Sequence, residues 1–249
     1  MKIAVCISNV PDTTTRIKTD ASGKKIDLSG IQWVLNPWDE LALTRAIELK
    51  EQNTGAVSEI VAVMAAPAAG EATLRKALAV GADRAIRIDT DPGDSFEAAS
   101  ELATYFGSQP ADIILTGIES ADFNGSATGP MLATLLGIRL IPGVSGLFLN
   151  DGQITVQQEL DGMSIRLRIA APAVLVVQKG IAIVPKIPAM RGIMAARTKP
   201  LSVVPPQKAG SHAEVKVYEP LPPKAAAKMI DPENAATLIE LLHNEAKVI

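Results

Sequence analysis

Short apolar runs alternate with amphipathic stretches along the first half of the chain, and this alternation constrains the fold more than any other feature. Runs rich in Val, Ile and Ala indicate strands that are covered on both faces, as in a parallel sheet. They are IAVCI at 3–7, EIVAVMAA at 59–66, RAIRI at 84–88 and DIILTG at 112–117. Three of the amphipathic stretches predict helices at 72–80, 95–107 and 128–137. The alternation therefore predicts an α/β fold with a mostly parallel sheet and right-handed crossovers.

The clearest helix start is the segment Asn36-Pro37-Trp38-Asp39-Glu40. Asn36 is expected to cap the free backbone N–H groups, and Pro37 suits the first helical position. The two acids lie in the first turn, where the helix dipole favours negative charge. Ser95 is expected to cap the helix at 95–107 in the same way.

After Gly137 the strand–helix alternation gives way to strand-like runs joined by Asp151-Gly152, which indicates a hairpin. A second, small hairpin is predicted at 16–26. From Ile181 onward the periodicity is lost, which predicts a long loop, then an extended arm at 205–228 and a last amphipathic helix ending at Leu242. We therefore expect an α/β domain over 1–204, which includes a loop at 185–199, and an arm with a helix over 205–249.

The composition excludes several classes of protein. Apolar residues make up 47% of the 249 residues, which is enough for a sizeable core, and the net charge of −3 comes without the basic stripe that nucleic-acid binding requires. One cysteine and two distant histidines are too few for a structural zinc site, and this cysteine usage fits a reducing cytoplasm. No apolar run approaches the ~20 residues that span a bilayer, and the N-terminus is expected to be a strand rather than a signal segment.

The segment from Gly117 to Pro130 is the first that could carry a function. Ligands of open parallel sheets bind beyond the carboxyl ends of the strands, and glycines beside a helix N-terminus suit a phosphate. Its spacing matches neither a Walker loop nor a dinucleotide fingerprint, and a Gly/Ser/Thr-rich turn is more often only a turn. If a phosphate binds here, a β-branched residue at Gly129 is expected to crowd the backbone against it.

Two further segments leave alternatives open. The end of the first strand, Cys6 to Asp12, and the helix start at 36–39 would lie at the same sheet edge, although a buried core cysteine and an ordinary cap would explain them equally. The loop at 185–200 mixes methionines with Lys and Arg, which suits either an adaptable docking surface or a solvated basic loop. Paired carboxylates, a Ser/His/Asp order and a metal-ligand cluster are absent from the sequence pattern, so group transfer and hydrolysis are not expected.

Six segments in register resemble one family, the β subunits of electron-transfer flavoproteins, over about residues 1–204. They are VPDT at 10–13, NPWDE at 36–40, GADRAIRI at 81–88, ILTG at 114–117 with TGPMLA at 128–133, QELDG at 158–162, and PAVLVV at 172–177 with IMAARTKP at 193–200. The resemblance implies a Rossmann-like fold of the adenine nucleotide alpha hydrolase type, with a C-terminal arm and helix that contact a larger α subunit.

The resemblance also implies a nucleotide site. Matching positions assign the nucleotide contacts to Cys6, Asn36, Pro37, Trp38, Asp39, Ala65, Asp122, Asn124, Gly125, Ser126, Ala127, Thr128 and Gly129. The loop at 122–127 departs from the family pattern, with Phe123 and Ala127 as the differing residues. The bound nucleotide is therefore expected to be AMP, as in simple carriers, or a second FAD, as in electron-bifurcating relatives.

The main FAD in the family is shared with the α subunit, and Trp38 and Thr13 match its neighbours on the β subunit. The family's docking loop aligns with 185–199, where Met190 replaces an anchoring leucine beside Arg191, Ile193 and Arg197. Glu159 resembles an acid that latches the mobile flavin domain of the α subunit.

The resemblance implies an electron carrier, not an enzyme, that docks acyl-CoA or other flavin dehydrogenases in fatty acid β-oxidation. It would pass their electrons to a quinone reductase or another acceptor.

Two alternatives share the parallel sheet. A stand-alone nucleotide-binding module of the universal-stress type would not need the Pro-rich arm or the 185–200 loop. An ATP-cleaving enzyme of the pyrophosphatase group would want an SGGxDS-like loop after the first strand, where this chain has Ser8-Asn9-Val10-Pro11.

Overall fold

The computed structural model describes residues 1–150, 152–219, 222, 224 and 226–249. The chain forms two compact units, one of residues 1–17 and 27–216 and the other of residues 18–26 and 217–249. Asp151 of the predicted hairpin and residues 220, 221, 223 and 225 of the predicted arm lie outside the described residues.

Eleven strands lie within the described residues. In chain order they are β1 (Lys2–Cys6), β2 (Asn9–Pro11), β3 (Trp33–Leu35), β4 (Glu59–Ala66), β5 (Arg84–Asp89), β6 (Ile113–Gly117), β7 (Arg139–Asn150), β8 (Gln153–Leu160), β9 (Met163–Ile169), β10 (Ala173–Val177) and β11 (Leu201–Val204). The helices of the same residues are α1 (Pro37–Gln52), α2 (Glu71–Val80), α3 (Ser95–Ser108), α4 (Thr128–Leu136), α5 (Met190–Ala196) and α6 (Ala235–Leu241). Short 3₁₀ turns precede α2 and α6, and a π-helical turn follows α6.

Nine strands form one sheet in the order β11-β5-β4-β1-β6-β10-β7-β8-β9, while β2 and β3 pair separately. The strands from β11 to β7 run parallel, and β7, β8 and β9 form an antiparallel meander. The predicted α/β fold with a mostly parallel sheet is confirmed, because the mostly apolar strands β1, β4, β6 and β10 are buried at its centre. Their carboxyl ends share one edge, where most of the predicted site residues lie.

Two apolar layers cover the sheet. One includes Leu43 and Leu78 from α1 and α2, and the other includes Leu102 and Leu132 from α3 and α4. Burial of a leucine side chain contributes about 1.5–3 kcal/mol, so these layers hold the helices in place.

Some sequence predictions were wrong in detail. The long loop expected after Ile181 contains α5 and the edge strand β11, which are too short for periodicity to reveal. Asp94, not Ser95, caps α3 and accepts a hydrogen bond from Glu97 N at 2.8 Å. The predicted hairpin at 16–26 is reduced to one bridge between Thr19 and Ile26.

The segment that follows β11 is held on α3 by two carboxylates. Glu101, 1% exposed, accepts hydrogen bonds from Gln207 N at 2.8 Å and Ala209 N at 3.1 Å. Asp94 also accepts hydrogen bonds from His212 N and Ala213 N. The bond from Glu97 N, with smaller contributions from Ser211, His212 and Ala213, lowers the pKa of Asp94 to about 2. The first part of the predicted arm is therefore bonded to the α/β unit by its own backbone.

Candidate functional site

Asn36 ties the start of α1 to the loop after β6. Its backbone N–H donates to Ser8 O, its Nδ2 donates to Glu119 O at 2.9 Å, and its Oδ1 accepts from Ala121 N at 3.2 Å. The side chain is 1% exposed and makes no capping bond to α1. The predicted N-cap role was therefore wrong, because backbone groups more than eighty residues away in the sequence use both ends of the amide.

Asp39 makes the second link between the same elements. Its carboxylate is 3% exposed and accepts Ser8 N at 2.8 Å and Gly117 N at 2.9 Å. Burial raises the pKa of Asp39 to about 6, against the opposing effect of these hydrogen bonds. A Cβ on Gly117 would lie 2.4 Å from Asp39 Oδ1, so a side chain at position 117 would break this link.

Cys6 ends β1 and is buried. Burial, with a smaller contribution from the charge of Asp39, raises the pKa of the thiol far above its usual range. A nucleophilic cysteine requires the opposite shift, so this thiol is a core group whose backbone lies at the site edge.

Ala65 lies at the end of β4, and the turn from β4 to α2 follows it at the same edge. It is held by Arg87, a buried residue that the sequence analysis missed. The Arg87 guanidinium donates to Ala66 O at 3.0 Å, to Glu71 Oε1 at 3.2 Å and to Asp89 Oδ1 at 2.5 Å. A buried cation needs such partners. An arginine in the otherwise apolar middle of β5, two residues before Asp89, is the sequence signal that could have identified it.

The connection from β6 to α4 is exposed and has an unusual backbone. Asn124 and Ser126 have φ of 49° and 48°, a left-handed region that costs most residues about 1–3 kcal/mol. Ser126 Oγ donates to Glu119 Oε2 at 3.2 Å, and Phe123 is 62% exposed. Such strain often marks a functional segment. Glu119 lies in the segment 117–130 singled out from the sequence, two residues after β6, but it was not among the predicted nucleotide contacts.

The start of α4 is open toward this connection. The helix begins after Ala127, and no side chain of the described residues caps its first N–H groups. Free N–H groups at a helix start attract anions, and the N-terminal end of the dipole adds to this attraction. The start of α4 therefore presents free N–H donors that suit a negatively charged group, beside the hydroxyl groups of Ser126 and Thr128.

Gly129 lets α4 pack directly on the sheet. A Cβ at this position would lie 2.6 Å from Thr116 Oγ1 and 2.7 Å from Val176 Cγ2, which are closer than real Cβ contacts. A side chain at position 129 would therefore crowd β6 and β10 rather than a phosphate, so the physical reason given for this glycine was wrong. The neighbouring Thr116 Oγ1 is fully buried and has no hydrogen-bond partner among the described residues.

Three further predicted cofactor residues follow the strands of the two-stranded sheet: Thr13 follows β2, and Pro37 and Trp38 follow β3. Trp38 is half-buried in the first turn of α1 beside Gly117, while Pro37 and Thr13 are exposed. Trp38 and Thr13 are therefore accessible for the predicted contact with a flavin on another chain.

The predicted docking residues begin a short helix rather than an irregular loop. Met190, 73% exposed, is the first residue of α5, and Arg191, Ile193, Met194 and Arg197 are exposed with it. Solvent-exposed apolar side chains concentrated on one short element indicate a contact surface.

Glu159, the last predicted docking residue, lies near the end of β8. Its Oε1 accepts hydrogen bonds from Gln157 Nε2 at 2.8 Å, and from Ser145 Oγ and Ser164 Oγ at 3.1 Å. These bonds lower the pKa of Glu159, so this exposed carboxylate is ionised and held in one orientation.

Within residues 1–150, 152–219 and the described remainder, no cluster of three or more His, Cys, Asp or Glu side chains could hold a metal ion. Among the same residues, every helix is too short or too polar to cross a bilayer.

The nine-stranded, mostly parallel sheet with helices on both faces and an open edge at β1, β4 and β6 defines a Rossmann-like α/β protein. Residues 24–209 match the family model of the electron transfer flavoprotein domain. The chain is 35% identical to the electron transfer flavoprotein subunit beta of Syntrophomonas wolfei, covering 100% of this chain and 98% of that protein.

The chain is also 32% identical to the corresponding subunit of Bacillus subtilis, with both proteins covered completely. With the human subunit the identity is 28% over 84% of this chain and 83% of that protein. The chain therefore belongs to the β-subunit family of electron transfer flavoproteins, and its function lies in electron transfer. This membership favours the family interpretation over a universal-stress module or an ATP-cleaving enzyme.

Proposed function

We propose that this chain, paired with an α subunit, binds an adenine nucleotide at the β1–β4–β6 edge and lines one side of an FAD site. We propose further that it docks flavin dehydrogenases through α5. The bound FAD would accept electrons from the dehydrogenase and release them to a downstream acceptor such as a quinone reductase. The observation that carries the nucleotide proposal is the uncapped start of α4 behind the strained, exposed connection at 118–127.

The residues at this edge divide into two groups. Ser126 is exposed and Thr128 is half-buried, and we propose that their hydroxyl groups and the N–H groups of 126–129 contact a phosphate, since Pro130 has no N–H. Asn36 and Asp39 are buried and bonded to backbone, so they shape the connection and do not supply a free side chain to the ligand. Ala65 and the backbone of Cys6 lie at the edge where the adenine would lie.

The nucleotide proposal is tested by denaturing the purified heterodimer and separating the released ligands by chromatography. We expect one FAD plus an adenine nucleotide, which is either AMP or a second FAD. Release of a single FAD, without AMP or a second flavin, would contradict the proposal. A second FAD would identify the chain as part of an electron-bifurcating complex.

The docking proposal depends on Met190. One apolar side chain that enters a pocket can dominate a small interface, whereas charges at the rim mainly steer the encounter. Met190→Ala is expected to slow reduction by a flavin dehydrogenase that reduces the wild-type heterodimer, through a loss of about 1–3 kcal/mol of docking energy. The FAD spectrum should not change. Arg197→Gln should have a smaller effect that disappears at high salt. An unchanged second-order rate constant for Met190→Ala would place docking elsewhere.

A further inference from the structure

The exposed helix α5 lies against the last turn of α2 at unusually short range. A Cβ on Gly192 would lie 2.3 Å from the carbonyl oxygen of Ala79 and 3.4 Å from its carbonyl carbon. Real Cβ atoms do not approach a backbone oxygen this closely, so the glycine is what allows the two helix backbones to meet. Any side chain at position 192 must move α5 away from α2.

Two cationic side chains form hydrogen bonds across the same contact, one from each side. Arg75, on α2, donates from Nη1 to Ala196 O at 2.8 Å and to Lys199 O at 2.9 Å. Lys199, beyond α5, donates from Nζ to Leu78 O at 3.0 Å and to Ala82 O at 2.7 Å. The carbonyls of a helix end lack partners within the helix, and a cation there is favourable. Each element therefore supplies a cation for carbonyls of the other.

These hydrogen bonds show that Lys199, a cation of the docking loop at 185–199, holds the two helices together rather than facing a partner. Lys199 is half-buried and its ammonium group is bonded to two carbonyls, so it belongs to the contact between the helices. Arg197 is exposed at the rim of a groove of about 660 Å³ beside α5, and it remains available to a partner.

The length of α5 makes this contact necessary. A helix of seven residues is not stable in water on its own, because forming its first turn costs more entropy than so few hydrogen bonds return. The exposed apolar residues Met190, Ile193 and Met194 contribute little to holding it. The orientation of α5 therefore depends on the contact at Gly192, the burial of Ala196 in the core and the bonds of Arg75 and Lys199.

We infer that Gly192, Arg75 and Lys199 are positioning residues for dehydrogenase docking: they fix α5 on α2 and so set the direction in which Met190 projects. This inference rests on the proposed docking role of Met190. We call these three residues the clamp. A side chain fixed before binding loses less entropy when the partner arrives, so the clamp increases the docking rate without touching the partner.

The first test compares Gly192→Ala with Gly107→Ala in the complete heterodimer. Gly107 lies in α3, and a Cβ there would meet nothing within 4 Å, so it is a matched glycine control. Amide hydrogen exchange at 190–196 is expected to accelerate in Gly192→Ala and in Lys199→Met, and to stay at the wild-type rate in Gly107→Ala. Unchanged exchange in both clamp variants would overturn the inference.

The second test measures the second-order rate constant for reduction by an acyl-CoA dehydrogenase that reduces the wild-type heterodimer. Gly192→Ala is expected to lower this rate constant by about ten-fold, which is the effect of losing one anchoring side chain. Its FAD spectrum and its rate at saturating dehydrogenase should stay unchanged. Gly107→Ala should keep the wild-type rate constant. In the double variant Met190→Ala/Gly192→Ala the two losses should not add, because they act on one contact.

The outcomes separate this inference from the docking proposal. If Met190→Ala leaves the rate constant unchanged, the docking proposal is wrong and the clamp is a structural feature alone. If Met190→Ala lowers the rate constant but Gly192→Ala does not, docking at α5 is supported and the positioning role is refuted. Fully additive losses in the double variant would also refute it.

Discussion

At the scale of single residues, the site edge is built by polar side chains that hold backbone rather than face solvent. Asn36 and Asp39 each bond Ser8, which follows β1, and backbone at the end of β6 or just after it. Because a buried polar group without a partner is costly, these bonds hold the two segments at a fixed distance. The shape of the edge thus depends on two residues of one helix start.

Asp39 gives a prediction about pH. Its pKa is about 6 in the folded chain against 3.8 as the reference, so the folded state binds more protons between these values. Its contribution to stability therefore falls as the pH rises through this window and levels off above about 6. The stability difference between wild type and Asp39→Asn should shrink by about 2–3 kcal/mol from pH 4 to pH 7. Urea unfolding of the heterodimer at both pH values measures it, and a difference that is independent of pH would contradict the assignment.

Thr116 gives a second prediction at this scale. Its buried hydroxyl has no partner among the described residues, so the isosteric change Thr116→Val removes a penalty. We expect a gain of about 1 kcal/mol in the free energy of unfolding. Thr73→Val is the control, because the Thr73 hydroxyl is also buried but donates to Asn9 Oδ1 at 2.6 Å, and its loss should destabilise. Destabilisation by both changes would show that Thr116 has an unseen partner.

At the scale of secondary-structure elements, α3 does more than cover the sheet. Its N-cap residue Asp94 and Glu101 in its middle supply carboxylates that bond backbone N–H groups between 207 and 213. The helix therefore determines where the chain leaves the α/β unit after β11.

This tether predicts the effect of Glu101→Gln. The amide keeps one acceptor oxygen, but its NH₂ group then faces the other N–H donor, which leaves that donor unpaired. We expect a loss of about 1–3 kcal/mol and faster amide exchange at 207–209. Glu97→Gln is the control, because its side chain accepts from Gly93 N, and none of its hydrogen bonds within the described residues reaches 207–209. Equal exchange in both variants would show that other contacts hold the segment.

At the scale of the whole molecule, one unit has a large buried core, and the other has little local patterning of apolar residues. Residues 18–26 and 217–249 form a unit with exposed apolar side chains, among them Met229, Ile239 and Ile249. Segments that bury little apolar surface are not expected to be stable alone.

We therefore expect the chain to form a tight heterodimer with an α subunit and to bind flavin poorly by itself. Co-expression with the α subunit followed by size-exclusion chromatography should give a yellow complex of both chains. Expression of this chain alone should give protein with little flavin absorbance. A stable, yellow monomer would contradict this expectation.

The order of the central strands and their helices, and the edge where the site lies, could be predicted from sequence because their causes are local. Apolar periodicity over a few turns identifies a strand or helix, and strand–helix alternation then requires a parallel sheet whose carboxyl ends meet. The segments at 36–39 and 117–130 were placed at one edge on this basis, and the structure brings them together.

The tertiary structure alone decided what individual side chains do at that edge and on α5. Asn36 bonds to residue 119, Gly129 packs against Val176, and Gly192 packs against Ala79, so each role depends on contacts across large sequence separations. A sequence pattern carries no record of such distances, and short elements such as α5 and β11 exist because α2 and β5 support them. The residue types were compatible with several roles, and packing selected one for each.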